Sequence, residues 1–304
     1  MPSFPITVAI TTFNRCGLLG RAIQSVLVQS WPGIEIVVVD DASTDGTQDF
    51  IAHNYPQVCY LRQDQNQGCG AARNRALQEA TNSYVLILDD DDTLLPDSLA
   101  LIATRLQAFP DLHRYPVVNF AHGNAGLCTS YMVASLEDYL SESLCGDFVP
   151  IICRELFLRE NLMYPLSRVG GEHILWWKIA KHYGIPTWAD QVGSVNTDAP
   201  IRLTSVRSQM CHAHEHAELQ ERTLKEFAEI LRLRFHALYK KRLLGAAAYR
   251  LLAGDRAAAR SHLRTSLWLG PSKSVVALWT LSFLPLSVVR KCFLAYRRKS
   301  GVNA

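Results

Sequence analysis

The sequence has no C-x-x-C pair, although it carries eight cysteines, at 16, 59, 69, 128, 145, 153, 211 and 292. Without that spacing neither a zinc ribbon nor a dithiol redox centre is expected, and the cysteines read as reduced, small apolar residues of a cytosolic protein. The N-terminal MPSFPITVAI lacks a basic region followed by a long apolar stretch, so no secretory leader is expected. A bilayer span needs about 20 apolar residues. The one membrane candidate, VVALWTLSFLPLSVV over 275–289, has 15 and is interrupted by Pro285. Charge is scarce at 19%, while 48% of the 304 residues are hydrophobic, which excludes a disordered chain and allows one substantial core with a smaller appended region. Acids are nearly missing from the C-terminal part. Residues 222–304 hold 17 Lys+Arg against 3 Asp+Glu, whereas residues 1–221 hold 14 against 25. The basic part suits an anionic surface such as phospholipid.

What is present in the first hundred residues alternates between two periods. Val8–Thr11, Ile34–Asp40, Val58–Arg62 and Tyr84–Leu88 are short β-branched or aromatic runs. The second and fourth are apolar at nearly every position, as strands covered on both faces require. Between them Leu18, Leu19, Ala22, Ile23, Val26 and Leu27 form one helical stripe, and Ala72, Ala76, Leu77 and Ala80 form another. Ser43 is positioned to cap a further helix over Thr44–Asn54. The pattern predicts a doubly wound α/β domain, in which ligands bind outside the carboxyl ends of the strands.

That rule gathers residues that are scattered along the chain. The first strand ends in Thr11, Thr12, Phe13, Asn14 and Arg15; the second ends in Asp40 and Asp41; the fourth runs into Asp89, Asp90, Asp91 and Asp92. NQGCGAARN, with Gly68, Gly70 and Arg73, precedes the second stripe. An aromatic ring beside acid and hydroxyl groups suits a nucleobase. A glycine turn entering a helix with an arginine suits phosphate oxygens. An acidic cluster suits a hard divalent cation. Each feature also has a plain reading, as turn chemistry or a solvated acidic run.

The series VAITTFNR, VVVDDASTDGT, NQGCGAARNRAL and YVLILDDDDTLLPDSL resembles the nucleotide-sugar-binding half of glycosyltransferase family 2. The resemblance implies the α/β GT-A fold, a mostly parallel sheet flanked by helices, here with a C-terminal helical extension. It implies that Asp89 and Asp91 occupy the Asp-x-Asp motif holding Mg²⁺ or Mn²⁺ on a donor diphosphate, with Asp91 the direct ligand and Asp90 beside the donor. By the same carry-over Thr11 and Phe13 border the base, Asn14 and Arg15 lie at the donor, Asp41 accepts from the base, and Gly68 and Arg73 lie near the diphosphate. Phe13 stands where a tyrosine is usual, which keeps stacking and loses a phenolic hydrogen bond.

GEHILWWKIA, residues 171–180, resembles the family's acidic dipeptide opening a helix. Glu172 falls on the second acidic position and is the expected general base, while Gly171 replaces the first acid. An acid favouring the helix dipole is the alternative for Glu172. Trp176 and Trp177 are candidates for the acceptor pocket, with one of them expected in the core. Asp147 and Arg154, in GDFVPIICRELF, are expected near acceptor or donor. Arg202 is expected on a loop over the diphosphate. His212 and His216 of CHAHEH are one helical turn apart, but no third ligand is evident and a solvated helix start is favoured.

From about residue 218 the chain reads as helical, and the expected division is a catalytic domain over 1–217, with halves near 1–110 and 111–217, and a basic helical region over 218–304. AAAYRLLAGDRAAARSHLRTSLWLGPS, residues 246–272, reads as a helical hairpin similar to one tetratricopeptide unit. The tail, with Arg290, Lys291, Arg297, Arg298 and Lys299, reads either as a peripheral anchor on anionic lipid or as a buried terminal helix with a basic edge.

Three classes compete. The first is a metal-dependent, inverting glycosyltransferase taking a UDP-, GDP- or dTDP-sugar to a saccharide or lipid-linked acceptor at the cytoplasmic membrane face. The second is a sugar-phosphate nucleotidyltransferase, but TTFNRCGLL lacks the glycine-rich stretch with Arg and Lys that it needs. The third is a non-catalytic nucleotide-sugar binder, against which the acidic cluster and Glu172 argue. Nucleic acid is not an expected partner, since no recognition motif occurs in the basic tail.

Overall fold

The computed structural model describes residues 4–196 and 205–299, so Arg202 lies outside the described residues. The chain forms two compact units, Met1–Ala199 and Pro200–Ala304. The division expected at 217 instead falls inside a continuous helix, Ala213–Glu226.

In the first unit β1 (Ile6–Thr12), α1 (Cys16–Leu27), β2 (Glu35–Asp40), α2 (Thr47–Asn54), β3 (Cys59–Arg62), α3 (Cys69–Glu79) and β4 (Tyr84–Asp89) alternate as predicted. These four strands are mutually parallel, in the order β3-β2-β1-β4. Every residue of β1 is buried, and β2 and β4 are buried at successive positions, which is why the second and fourth runs show no alternation of polar and apolar residues. The predicted start of α2 is three residues early. Its N-cap is Gly46 rather than Ser43, whose hydroxyl instead accepts from the Asn14 N–H at 2.8 Å.

The chain continues through β5 (Thr93–Leu94), α4 (Ser98–Gln107), β6 (Val117–Gly126), β7 (Tyr131–Ala134), α5 (Leu136–Leu140), β8 (Cys145–Cys153), α6 (Arg154–Arg159), α7 (Glu172–His182) and β9 (Ile185–Ser194). β8 runs antiparallel between β4 and β6, β9 is parallel to β6, and β5 and β7 pair antiparallel with β9. Two reversals therefore return β6 and β9 to the direction of β4. Their ends, with the start of β8, share the edge where β1, β2 and β4 finish. The core beneath includes Ile10, Ile23, Leu86 and Phe120, with Trp188 stacked on Phe120 at 5.1 Å. Each such side chain contributes about 1.5–3 kcal/mol on burial.

The second unit is helical: α8 (Val206–Cys211), α9 (Ala213–Glu226), α10 (Ala228–Arg234), α11 (His236–Leu252), α12 (Arg256–Trp268), α13 (Lys273–Leu281) and α14 (Leu286–Lys299). The predicted hairpin is α11–α12, where Asp255 caps α12 by accepting from the Ala258 N–H at 3.0 Å. Glu221 accepts from Arg250 at 2.6 and 2.9 Å and lies 2.7 Å from His262 Nε2, joining α9, α11 and α12. The apolar run 275–289 is divided between α13 and α14, and among the described residues no helix is long and apolar enough to cross a membrane. His216 is not at a solvated helix start. Its ring stacks on Tyr249 at 4.7 Å, and burial, then His212, push it down to about 4.

Candidate active site

The parallel strands deliver Thr12, Asp41 and Asp89 to one edge, and the turn after β4 folds the acidic run so that its members part. Asp90 points inward. Its carboxylate accepts from the Thr12 hydroxyl at 2.7 Å and from Arg15 Nη1 at 2.9 Å, pinning β4 to the end of β1. Burial is the main cause that pushes Asp90 up to about 6, against the pull of Arg15. Asp89, Asp91 and Asp92 point the other way, with ligand oxygens all within 4.8 Å of one another. This donor set fits a hard divalent cation. Burial, then Asp89 and Asp91, push Asp92 up to about 7. Arg73 meets Asp89 and Arg15 approaches Asp91, but three carboxylates this close still repel one another, and a cation among them would offset that repulsion.

The sequence pairing of Asp89 with Asp91 thus gains Asp92, while Asp90 does not face the same space. Arg15 lies 3.4 Å from Asp91 Oδ2, and Arg21 donates to the Asp91 carbonyl at 3.2 Å. Asn196, beyond β9, donates its side-chain amide to the same carbonyl at 2.9 Å and its backbone N–H to Asp92 at 3.3 Å. None of the flanking residues Arg21, Asn196 or His122 was singled out from the sequence. For His122 a signal existed: it is a polar ring ending the apolar strand VVNFAH.

Asp41 is buried, and its oxygens accept from Gln63 at 2.5 Å, Gln67 N–H at 2.7 Å and Gly68 N–H at 2.7 Å. Gly68 N–H is therefore turned to Asp41 rather than left free for phosphate. The glycines serve packing. A Cβ on Gly68, at φ +91°, would stand 2.4 Å from the Ser167 carbonyl oxygen, and one on Gly70 would stand 2.1 Å from that of Pro165. Thr11 is buried and Phe13 is 42% exposed at the end of β1. The Asn14 side chain accepts from the Thr44 N–H at 2.7 Å, knitting the loops after β1 and β2 together.

Arg73 lies in the first turns of α3 but is not open to an incoming phosphate. Its Nη2 donates to Asp89 at 2.6 Å and its Nη1 to Glu172 at 2.7 Å, over the ring of Tyr164. Burial alone would weaken its charge; the two acids hold it firmly protonated. Glu172 opens α7 behind Gly170 and Gly171, at φ +84° and +114°. The left-handed conformation of Gly171 explains why no acid stands there, since an L-residue would be strained. Cys69 lies 3.6 Å from Glu172, and burial pushes its thiol up to about 12, so it is no nucleophile. Trp177 is buried in the core, while Trp176 packs edge-on against Tyr164 at 5.6 Å. Asp147 pairs with His122 across β8 and β6 at the site edge. Arg154 is a correction: it donates to the Leu77 and Gln78 carbonyls at 2.7 and 2.8 Å, capping the far end of α3.

Four sequence blocks thus meet at one edge of the sheet. Residues 7–120 match the sequence profile of "Glycosyl transferase family 2". This segment belongs to glycosyl transferase family 2. Among curated relatives, the chain is 36% identical over 104 residues to the "Succinoglycan biosynthesis protein ExoO" of Rhizobium meliloti, covering 34% of this chain and 30% of that protein. It is 29% identical over 189 residues to a "GalNAc(5)-diNAcBac-PP-undecaprenol beta-1,3-glucosyltransferase" of Campylobacter jejuni, covering 58% and 60%. The chain thus spans about a third to three-fifths of the length of these relatives. Among solved structures, S. aureus TarS 1-349 in complex with UDP-GlcNAc gives a TM-score of 0.57 at 18% identity, over 86% of this chain and 90% of that one. Mannosyltransferase PcManGT from Pyrobaculum calidifontis, in complex with GDP-Man and Mn2+, gives 0.52 at 20% identity, over 94% and 86%. The fold is GT-A: a mixed sheet flanked by helices and followed by C-terminal helices. The family 2 segment spans β1 to β4 and reaches into β6, so it contains the acidic trio and Arg73 but not Glu172.

Proposed function

We propose that this chain is a metal-dependent, inverting glycosyltransferase that moves a sugar from a UDP-, GDP- or dTDP-sugar to a saccharide or lipid-linked acceptor, in cell-surface polysaccharide or glycolipid synthesis. The observation that carries it is the Asp89, Asp91 and Asp92 trio joined through Arg73 to Glu172 at one sheet edge. The nucleotide-sugar complexes of the structural neighbours and the polysaccharide and undecaprenol-linked relatives support the substrate classes.

Asp89, Asp91 and Asp92 would hold Mg²⁺ or Mn²⁺, which supplies neutralisation of charge on the departing diphosphate. Thr11 and Phe13 border the base. Arg73 engages Glu172 Oε1, and Oε2 has no hydrogen-bond partner among the described residues. Oε2 takes the proton of the acceptor hydroxyl as that oxygen attacks the anomeric carbon. The bond from the anomeric carbon to the diphosphate oxygen breaks on the opposite face, and its electron pair leaves with the nucleotide. The basic tail, with Arg290, Lys291, Arg297 and Arg298, would meet anionic lipid at the cytoplasmic membrane face, where a lipid-linked acceptor resides.

Thermal unfolding with UDP, GDP, dTDP and CDP, each with Mn²⁺, Mg²⁺ or chelator, tests the reading. Stabilisation by one nucleotide that requires the metal and is lost in Asp91→Asn is expected. No stabilisation by any nucleotide and metal would remove it.

A further inference from the structure

The last part of the second unit is basic without relief: residues 256–304 hold nine Lys+Arg and no Asp or Glu. The buried side of α12 is Ala259, Leu263 and Ser266, while Arg256, Arg260 and Arg264 follow one another at i, i+4 spacing with Trp268 next in the row. Trp268 is 92% exposed. Arg260 ties this row to the turn after α13. It donates to the Ser282 carbonyl at 2.9 Å, and its guanidinium lies 4.3 Å from the centre of the Phe283 ring, which is itself 60% exposed. α13 turns Val275 inward, with Ala247 and Leu263, and leaves the next residue, Val276, 58% exposed. α14 differs. Its Val289 is buried and its Phe293 ring lies 6.3 Å from that of Tyr249, so the apolar side of the terminal helix is taken up within the unit.

Large apolar side chains left in water beside arginines, in a stretch without acids, suit the boundary between lipid headgroups and acyl chains. Aromatic and apolar groups enter that boundary while a basic rim meets the phosphates. Arginine stems lie along apolar surface and keep their charged heads outside it. Each basic residue near an anionic leaflet raises partitioning about fivefold. A second copy of the chain fits less well, since a two-fold contact sets the arginine row against itself. Nucleic acid would use the arginines but leave Val276 and Phe283 in water. We infer that Arg256, Arg260, Arg264 and Trp268 of α12, with Val276 and Phe283, form a face that docks on an anionic phospholipid bilayer. Trp268 and Phe283 enter the headgroup boundary, and the arginines engage lipid phosphates. The inference rests on the membrane-facing reading proposed above and moves the apolar contact away from the tail, where α14 adds charge but has its apolar side occupied.

The test is co-sedimentation of the full chain with vesicles of phosphatidylglycerol and phosphatidylcholine, beside vesicles of phosphatidylcholine alone, together with tryptophan quenching by lipids brominated near the headgroup end of the acyl chain. Binding is expected to need phosphatidylglycerol, and brominated lipid should quench a part of the fluorescence that is missing in Trp268→Phe. Partitioning should fall about tenfold in Trp268→Ala and about fivefold in Arg264→Gln. Because Trp268 is almost wholly exposed, its replacement leaves the fold intact, as thermal unfolding of the variant checks. Binding that survives both substitutions but is lost when Arg290, Lys291 and Arg298 are changed to glutamine overturns this inference and leaves contact through the tail standing. Equal binding to phosphatidylcholine alone overturns it as well. So does a dimer, seen by sedimentation without vesicles, that Trp268→Ala dissolves while vesicle binding is unaffected. No binding to either vesicle overturns both this face and the membrane contact of the tail, and leaves the sugar-transfer reading to the nucleotide and metal experiment above.

Discussion

Arg73 Nη1 donates to Glu172 Oε1 at 2.7 Å, so a residue of α3 fixes the acid that opens α7. The same guanidinium reaches Asp89 at 2.6 Å, and Tyr164 backs it from below. A lysine keeps the charge but cannot offer two nitrogens in a fixed plane. Arg73→Lys is therefore expected to lower turnover about 100-fold through a displaced Glu172, with the nucleotide dissociation constant within a few-fold of the unmodified protein. The opposite split, weak nucleotide binding with turnover intact at saturation, would assign Arg73 to the diphosphate instead.

Glu172→Gln keeps the shape of the side chain and removes its basicity. Metal-dependent stabilisation by nucleotide should persist, while transfer falls about 10²–10⁴-fold. Transfer assays at saturating donor, beside the thermal shift, separate the two effects. Unchanged transfer would take Glu172 out of the mechanism.

Asp90 and Asp91 are neighbours with different tasks. Asp90→Asn leaves the trio in place but disturbs a buried carboxylate bound by Thr12 and Arg15. It is expected to cost about 1–3 kcal/mol in stability while metal and nucleotide still bind. Asp91→Asn should do the reverse, with a melting temperature close to that of the unmodified protein and no metal-dependent shift.

Gly68→Ala places a methyl group 2.4 Å from the Ser167 carbonyl oxygen, at a residue with φ +91°. The backbone of 165–168 must move, and that segment leads directly to Glu172. A loss of about 1–3 kcal/mol is expected, visible in urea unfolding, together with reduced turnover. Stability equal to that of the unmodified protein would contradict the close approach.

In the second unit, hydrogen bonds from Arg250, opposed by burial, and then from His262 hold the Glu221 carboxyl below its ordinary value of 4.5. A depressed carboxylate stabilises the folded state fully above its unfolded value. That contribution is lost as the pH falls from about 4.5 through the lower folded-state value. Unfolding followed between pH 3 and 7 should therefore show a stability difference between the unmodified protein and Glu221→Gln that is full near neutrality and shrinks below about pH 4.5. A difference constant over this range would place the effect in packing rather than ionisation.

The sequence by itself determined the parallel half of the sheet. β2 and β4 are nearly continuous apolar runs because both of their faces are covered, and two of the helices between the strands carry visible stripes. It also determined that Thr11, Asp41 and the acidic run would lie at one edge, because parallel strands finish together. It located Glu172 at a helix start, through the resemblance of GEHILWW. Only the tertiary structure decided how the four acids divide. A turn after β4 sends Asp90 toward Thr12 and Arg15 and leaves Asp89, Asp91 and Asp92 facing together, and no periodicity in a run of identical residues records that turn. Arg73 looked like a phosphate ligand because a helix start with an arginine suits an anion; its partners come from residues 16 and 99 positions away. His122 reaches the site through two strand reversals. Local sequence encodes strands and helices by period, but contacts between distant strand ends depend on the order and direction in which the strands pair.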